Sequence, residues 1–283
     1  MLNINTNIYS LTAQNNINNT QNALQQAISR LSSGKRINSA ADDAAGLAIS
    51  TSMQTAVNSY NQGVSNANDA VSMAQTASSG LSAITADLQR IQQLAVQASD
   101  QSIGTAAAAN LDTEVQARIT DINRIAGQTT YNGINLLDGS ANASGSPLQF
   151  QIGATSGQTL TMDLSGNFGT TGGTGTAALA GLAGGNVTTF ANAQSMMDAV
   201  NTALTTVNNA QAQLGANINV FQAAISQTTT QSANLSGASA QITDANFAQE
   251  TANLSKAQVL QQAGISVLAQ ANSMPQQVLK LLQ

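Results

Sequence analysis

From Ala44 to Ser99 the chain reads AAGLAISTSMQTAVNSYNQGVSNANDAVSMAQTASSGLSAITADLQRIQQLAVQAS, with its apolar residues in rows seven apart. One row runs Met53, Tyr60, Ala67, Ala74, Leu81, Leu88, Ala95. A neighbouring row runs Val57, Val64, Val71, and a third Ala77, Ile84, Ile91, Ala98. A spacing of seven held this long predicts a coiled-coil helix, and no proline interrupts it. At 1.5 Å per residue such a helix is roughly 80 Å long. A small globular core cannot cover that length, so the helix needs partners.

The partners are legible further along. Val200, Val207, Leu214, Phe221, Thr228, Leu235 and Ile242 form one heptad row, with Met197, Leu204, Gln211, Ile218 and Ile225 beside it. This predicts a second long helix, with a polar break near Thr228–Ser232. Leu111, Val115, Ile119, Ile122 and Ile125 predict a shorter helix. The expected fold is mainly α: a coiled-coil rod of about three helices.

Both ends carry separate heptad segments: Ile17, Leu24 and Leu31 with Ile28 beside them, and Leu260, Val267, Met274 and Leu281 flanked by Ala271 and Val278. The first should stop at Gly34, a residue suited to a C-terminal cap. After a connector, Gly34–Asn38, the next helix should open at Ser39 with Asp42 three residues on, a pattern like a capping box. The two end helices are expected to pair. A pair of this length with few charges is marginal alone and should associate with copies of itself, which makes these residues the expected polymerisation contacts.

In the middle, Leu148, Phe150, Ile152 and then Leu160, Met162, Leu164 alternate with polar residues around Gly157, which predicts a β-hairpin. Gly166–Asn186, rich in Gly, Thr and Ala, reads as a loop or partly disordered surface. The expected organisation is 1–43 for the N-terminal end helix and linker, 44–140 for rod helices, 141–190 for a small β-rich tip, 191–240 for the returning rod helix and 241–283 for the C-terminal end helix.

Composition narrows the function. Charged residues are 7% of the chain, where a soluble domain has about 25%. A surface of amides and hydroxyls is buried against neighbours at lower desolvation cost than a charged one, which suits a packed assembly. Net charge is −5 without a basic run, so the footprint of a nucleic-acid binder is missing. No stretch approaches the roughly 20 apolar residues of a membrane span, and Met1–Ser10 lacks the pattern of a cleavable signal peptide. With neither His nor Cys, the usual zinc sites, His bases and Cys nucleophiles are unavailable. Asp42-Asp43 is no catalytic pair, because adjacent helix positions diverge. The Gly172–Gly175 cluster lacks the surroundings of a phosphate loop. No cofactor and no enzymatic activity are expected.

Several stretches carry a family resemblance. Leu31-Ser32-Ser33-Gly34-Lys35-Arg36-Ile37-Asn38-Ser39-Ala40-Ala41-Asp42-Asp43-Ala44-Ala45-Gly46-Leu47-Ala48-Ile49 resembles the N-terminal signature of bacterial flagellins. Leu88-Gln89-Arg90-Ile91-Gln92-Gln93-Leu94-Ala95-Val96-Gln97 resembles their first rod helix, and Tyr131-Asn132-Gly133-Ile134-Asn135-Leu136-Leu137 and Phe150-Gln151-Ile152-Gly153 the turn and hairpin after it. Ser255-Lys256-Ala257-Gln258-Val259-Leu260-Gln261-Gln262-Ala263-Gly264 and Val267-Leu268-Ala269-Gln270-Ala271-Asn272 resemble the C-terminal signature. The resemblance spans roughly 1–160 and 190–283.

It implies an extracellular filament subunit for swimming; a hook–filament junction protein is the alternative. It further implies end helices that line the filament channel and export through the flagellar type III apparatus. Implied partners are further copies of itself, an export chaperone, the filament cap and hook-junction proteins, and a host Toll-like receptor; neither nucleic acid nor membrane is among them. The receptor patch it implies comprises Leu88, Gln89, Arg90, Leu94 and Glu114. Pairing of Arg90 with Glu114 across the bundle is compatible with that use.

Overall fold

A computed structural model describes residues 7–142, 146–171 and 177–281, with side chains described as far as Met274 in the last helix. The side chains of Val278 and Leu281, and the Gly172–Gly175 cluster, lie outside the described set. The structure is 74% helical, so helix pairing decides the architecture. The helices are α1 (Ile8–Ser33), α2 (Ala44–Ala98), α3 (Thr105–Gln128), α4 (Phe190–Thr243) and α5 (Phe247–Leu281). The strands are β1 (Thr130–Tyr131), β2 (Ile134–Asn135), β3 (Leu148–Gln151) and β4 (Thr159–Met162). Two compact units result, Met1–Thr55 with Asn234–Gln283, and Ala56–Ala233. Their boundaries fall inside α2 and α4.

In the first unit α1 and α5 pack side by side. The Asn7 side chain caps α1 by accepting from Ser10 N at 3.1 Å, and Gly34 ends it in the left-handed region at φ 70°, where a Cβ is disfavoured. The chain beyond is pinned to the segment after α4. Arg36 N donates to Thr243 O at 2.6 Å and Ala245 N to Gly34 O at 2.9 Å. The Arg36 guanidinium donates to Ile242 O at 2.6 Å, satisfying a carbonyl in the last turn of α4. The expected cap at Ser39 is corrected. Asp42 Oδ2 accepts from Asn38 N, Ser39 N and Ser39 Oγ at 3.2, 3.0 and 3.0 Å, closing a separate turn. α2 opens later, where Asp43 Oδ1 accepts from Gly46 N at 2.8 Å. The acid nearest the exposed N–H groups does the capping.

In the second unit α2, α3 and α4 share one apolar core with both hairpins packed on it. The Leu81, Leu88, Ala95 and Ile84, Ile91, Ala98 rows of α2 face inward and meet Val115 and Ile122 of α3 and Val200 and Val207 of α4. The β1–β2 turn is Asn132-Gly133, both at positive φ, as a two-residue hairpin of matching twist requires. β3 pairs antiparallel with β4, Leu148 opposite Met162 and Phe150 opposite Leu160. Phe150 meets Phe221 of α4 edge-on, with ring centroids 5.5 Å apart. The hairpin lies so close to α2 at Gly63 that a Cβ there would collide with the carbonyl of Ile152. Asn66 Nδ2 donates to Gln151 O at 2.8 Å beside it.

Two expectations are corrected in this unit. The polar break near Thr228–Ser232 is absent, since α4 runs unbroken through it. Thr228 and Ser232 are buried, and Ser232 Oγ donates to Asn61 Oδ1 at 3.0 Å. Thr229 and Thr230 return their hydroxyls to carbonyls one turn back, so these residues cost the helix little. Nor is 166–186 a loose loop where it is described. Phe168, Leu179 and Leu182 are buried in the core. Asn123 Oδ1 accepts from Thr170 N at 2.8 Å, Phe168 N donates to Leu137 O at 2.7 Å, and Gln116 Nε2 donates to Gly185 O at 2.7 Å.

Candidate interaction surfaces

Across α2 and α3 runs a ladder of charges. The Arg90 guanidinium forks onto Glu114, with Nε 2.8 Å from Oε1 and Nη2 3.1 Å from Oε2, and Nη1 reaches Gln93 Oε1 at 3.4 Å. Arg118 Nη1 lies 3.0 Å from Asp87 Oδ1, while its Nη2 stands 4.0 Å from Glu114 Oε1. The hydrogen bonds from Arg90 hold the Glu114 carboxyl below its ordinary range, with the charges of Arg90 and Arg118 adding to them. Asp87 goes the other way. Its burial favours the neutral acid and pushes its pKa up, the negative charge of Asp121 adds to this, and Arg118 opposes it.

The structure brings Gln89, Arg90 and Glu114 to the surface and leaves two members of the expected patch behind. Leu88 and Leu94 are 0% and 1% exposed, so both belong to the core and offer no contact surface. Leu88 continues the heptad row Ala74, Leu81, and Leu94 belongs to the same buried cluster. The pairing of buried Asp87 with the partly exposed Arg118 went unread in the sequence. Its signal was a lone acid on the inward face of α2.

A second surface belongs to the α1·α5 pair. The helices run antiparallel, since Asn7 Nδ2 donates to Ala271 O at 2.7 Å and Arg30 Nη1 lies 3.2 Å from Glu250 Oε1. On α1 the seam is Ala13, Ile17, Leu24, Ala27 and Leu31, all buried or half-buried. On α5 it is Leu254, Ala257, Gln261, Gly264, Leu268 and Ala271. Ile17 sits against Gly264, where a Cβ would come within 2.9 Å of its Cγ1. The larger apolar row expected to pair points elsewhere: Leu260, Val267 and Met274 are 49%, 53% and 47% exposed, and Ile28 is exposed as well. A groove of about 680 Å³ runs beside the seam, lined among others by Asn16, Ala23, Leu260 and Val267.

The sequence pattern described as the bacterial flagellin N-terminal helical region matches residues 4–142, and that of the C-terminal helical region matches 197–282. A flagellin of Halalkalibacterium halodurans is 36% identical over 280 residues, covering 99% of each chain. The chain belongs to the bacterial flagellin family. A flagellin of Listeria monocytogenes is 32% identical over 283 residues, again 99% of each chain. That of Escherichia coli K12 is 44% identical over 161 residues, which are 57% of this chain and 31% of that protein. As a flagellin-family member the chain is a structural subunit that self-assembles into the extracellular flagellar filament, and not an enzyme. Nothing in these comparisons favours the hook–filament junction alternative. Among the described residues no helix is long and apolar enough to cross a membrane, and no cluster of acids could hold a metal ion.

Proposed function

We propose that the chain polymerises through its end helices, with Leu260, Val267 and Met274 of α5, continued in sequence by Val278 and Leu281, and Ile28 of α1 meeting further copies. Ile17, Leu24 and Leu31 serve the intramolecular seam instead. The observation that carries this reading is the exposure of the whole described outward row beside a groove. Scattered exposed apolar residues need no explanation, but a row at heptad spacing along one helix does. Burying about three such side chains in a partner contributes several kcal/mol, roughly 1.5–3 kcal/mol each before association costs. The same helix is the segment an export chaperone masks before passage through the flagellar type III apparatus. Filament cap and hook-junction proteins meet the subunit at the two ends of the polymer. Gln89, Arg90 and Glu114 form the face a host Toll-like receptor recognises on the monomer, a face that packing hides in the filament.

The experiment is a triple substitution, Leu260→Gln, Val267→Gln and Met274→Gln, which leaves every seam residue in place. Circular dichroism should report parental helix content. Electron microscopy after salt-induced seeding should show no filaments where the parent makes long uniform ones. Filaments of ordinary diameter from the triple variant would rule out this row as the polymerising surface.

A further inference from the structure

We propose that Asp87 is a proton-operated latch on Arg118: ionised, it holds that guanidinium against α2, and protonated, it hands it over to Glu114. The chain has 8 basic and 13 acidic residues, and three of each meet on one face of the second unit. Asp87 and Arg90 stand on α2, and Glu114, Arg118, Asp121 and Arg124 on α3. Along this face the signs alternate except at one place, where Asp121 acts on Asp87 as a neighbouring acid. Arg124 is taken up by Asp121, its Nη2 2.7 Å from Oδ1. Arg118 is left to serve two carboxylates. Its Nη1 is 3.0 Å from Asp87 Oδ1, a hydrogen bond, and its Nη2 is 4.0 Å from Glu114 Oε1, at the edge of contact. A second seat for the guanidinium therefore lies one turn back along its own helix.

Of the two carboxylates, Asp87 holds its charge less securely. It is 5% exposed, and among the described residues Arg118 is the one cation within ion-pair distance of it. Glu114 is more open to water and is gripped by the fork from Arg90. α4 packs on the same core and brings one charged residue, Asp198; neither it nor Asp138 and Asp163 beside the hairpins act on Asp87. Burial and Asp121 push the Asp87 carboxyl up, while the bonds from Arg90 hold Glu114 down. As pH falls, Asp87 thus takes its proton while Glu114 is still ionised. A neutral Asp87 no longer offsets the cost of holding a guanidinium against the core, and the nearest remaining anion is Glu114. The six charges of the face, balanced when all are ionised, then carry one net positive charge.

The full-length monomer, isotope-labelled at aspartate carboxyls and arginine guanidinium groups, is titrated by NMR from neutral to mildly acidic pH, with both signals assigned through the backbone of α2 and α3. The Asp87 carboxyl signal should titrate above the range of ordinary aspartates, and the Arg118 Nε signal should shift with the same midpoint. In Asp87→Asn, which imitates the protonated acid, the Arg118 signal should stand at its acidic position at every pH. Stability carries the matching sign. With the folded-state pKa raised, the urea midpoint of the parent relative to Asp87→Asn should rise as pH falls through that value and level off below the unfolded-state one. An Asp87 carboxyl that titrates with the ordinary aspartates, or an Arg118 signal that does not follow it, would overturn the latch. Only the consequence for a receptor rests on the reading of Gln89, Arg90 and Glu114 as its face. If Arg90→Ala leaves receptor activation unshifted, that reading falls while the titration still decides the latch.

Discussion

Arg90 is committed inside the subunit before any partner arrives. Its fork onto Glu114 fixes a planar guanidinium on the α2–α3 face, pre-paying the side-chain entropy that a partner would otherwise have to overcome. With Leu94 in the core, the proposed recognition face has no apolar anchor from that position, and Arg90 would carry a larger share of it. Arg90→Ala should lower receptor activation by monomer about tenfold or more, in keeping with loss of an interface hot spot. It should leave thermal unfolding nearly unchanged, because the pair is exposed. Dose–response curves of receptor signalling measure this, and an unshifted curve would remove Arg90 from the face. The spacing of Arg90, Leu94 and Glu114 was readable in the sequence, but the inward turn of Leu94 was not. Residues four apart share a helix face only broadly, and that breadth separates a surface Arg from a core Leu.

Elements in this chain are joined by close approaches that single glycines permit. At Gly63 the β3–β4 hairpin lays the backbone of Ile152 directly on α2, and Asn66 and Phe150 tie it down on either side. A methyl group at position 63 has no flexible side chain to displace, only backbone. Gly63→Ala gains helix propensity, yet the clash should win and destabilise the second unit by about 2 kcal/mol, the usual size of an overpacking cost. Chemical denaturation of the monomer tests this, and an unchanged or raised midpoint would mean that the hairpin steps aside freely. The hairpin itself was legible from alternation around Gly157. Its seat was not, because a glycine within a heptad helix announces nothing about which backbone comes to rest on it. The same applies to α4, where the run Thr228–Ser232 read as a break until Asn61 supplied the partner for Ser232.

At the scale of the whole molecule the outer segment is part of the fold. Phe168, Leu179 and Leu182 fill the core, and Asn123 and Gln116 fasten the backbone at Thr170 and Gly185. Replacing 165–186 with a Gly/Ser linker should therefore lower the unfolding temperature of the monomer by many degrees, since loss of even one large buried side chain costs about 3 kcal/mol or more. Calorimetry decides this, and a parental melting temperature would show the segment to be dispensable. The sequence by itself determined the helices, their seven-residue rows, the Gly34 stop, the two turns at Asn132-Gly133 and Gly157, and the family. Each of these is written in residues near one another in the chain, where backbone preference and periodicity act. Only the tertiary structure decided which row of α5 meets α1, that this seam includes Ala257, Gln261 and Gly264 while Leu260, Val267 and Met274 stay outside, and that Phe168, Leu179 and Leu182 fold onto the core. Periodicity states which residues share a face. Which face is covered depends on partners hundreds of positions away, such as Glu250 for Arg30, and on hydrogen bonds that no local pattern encodes.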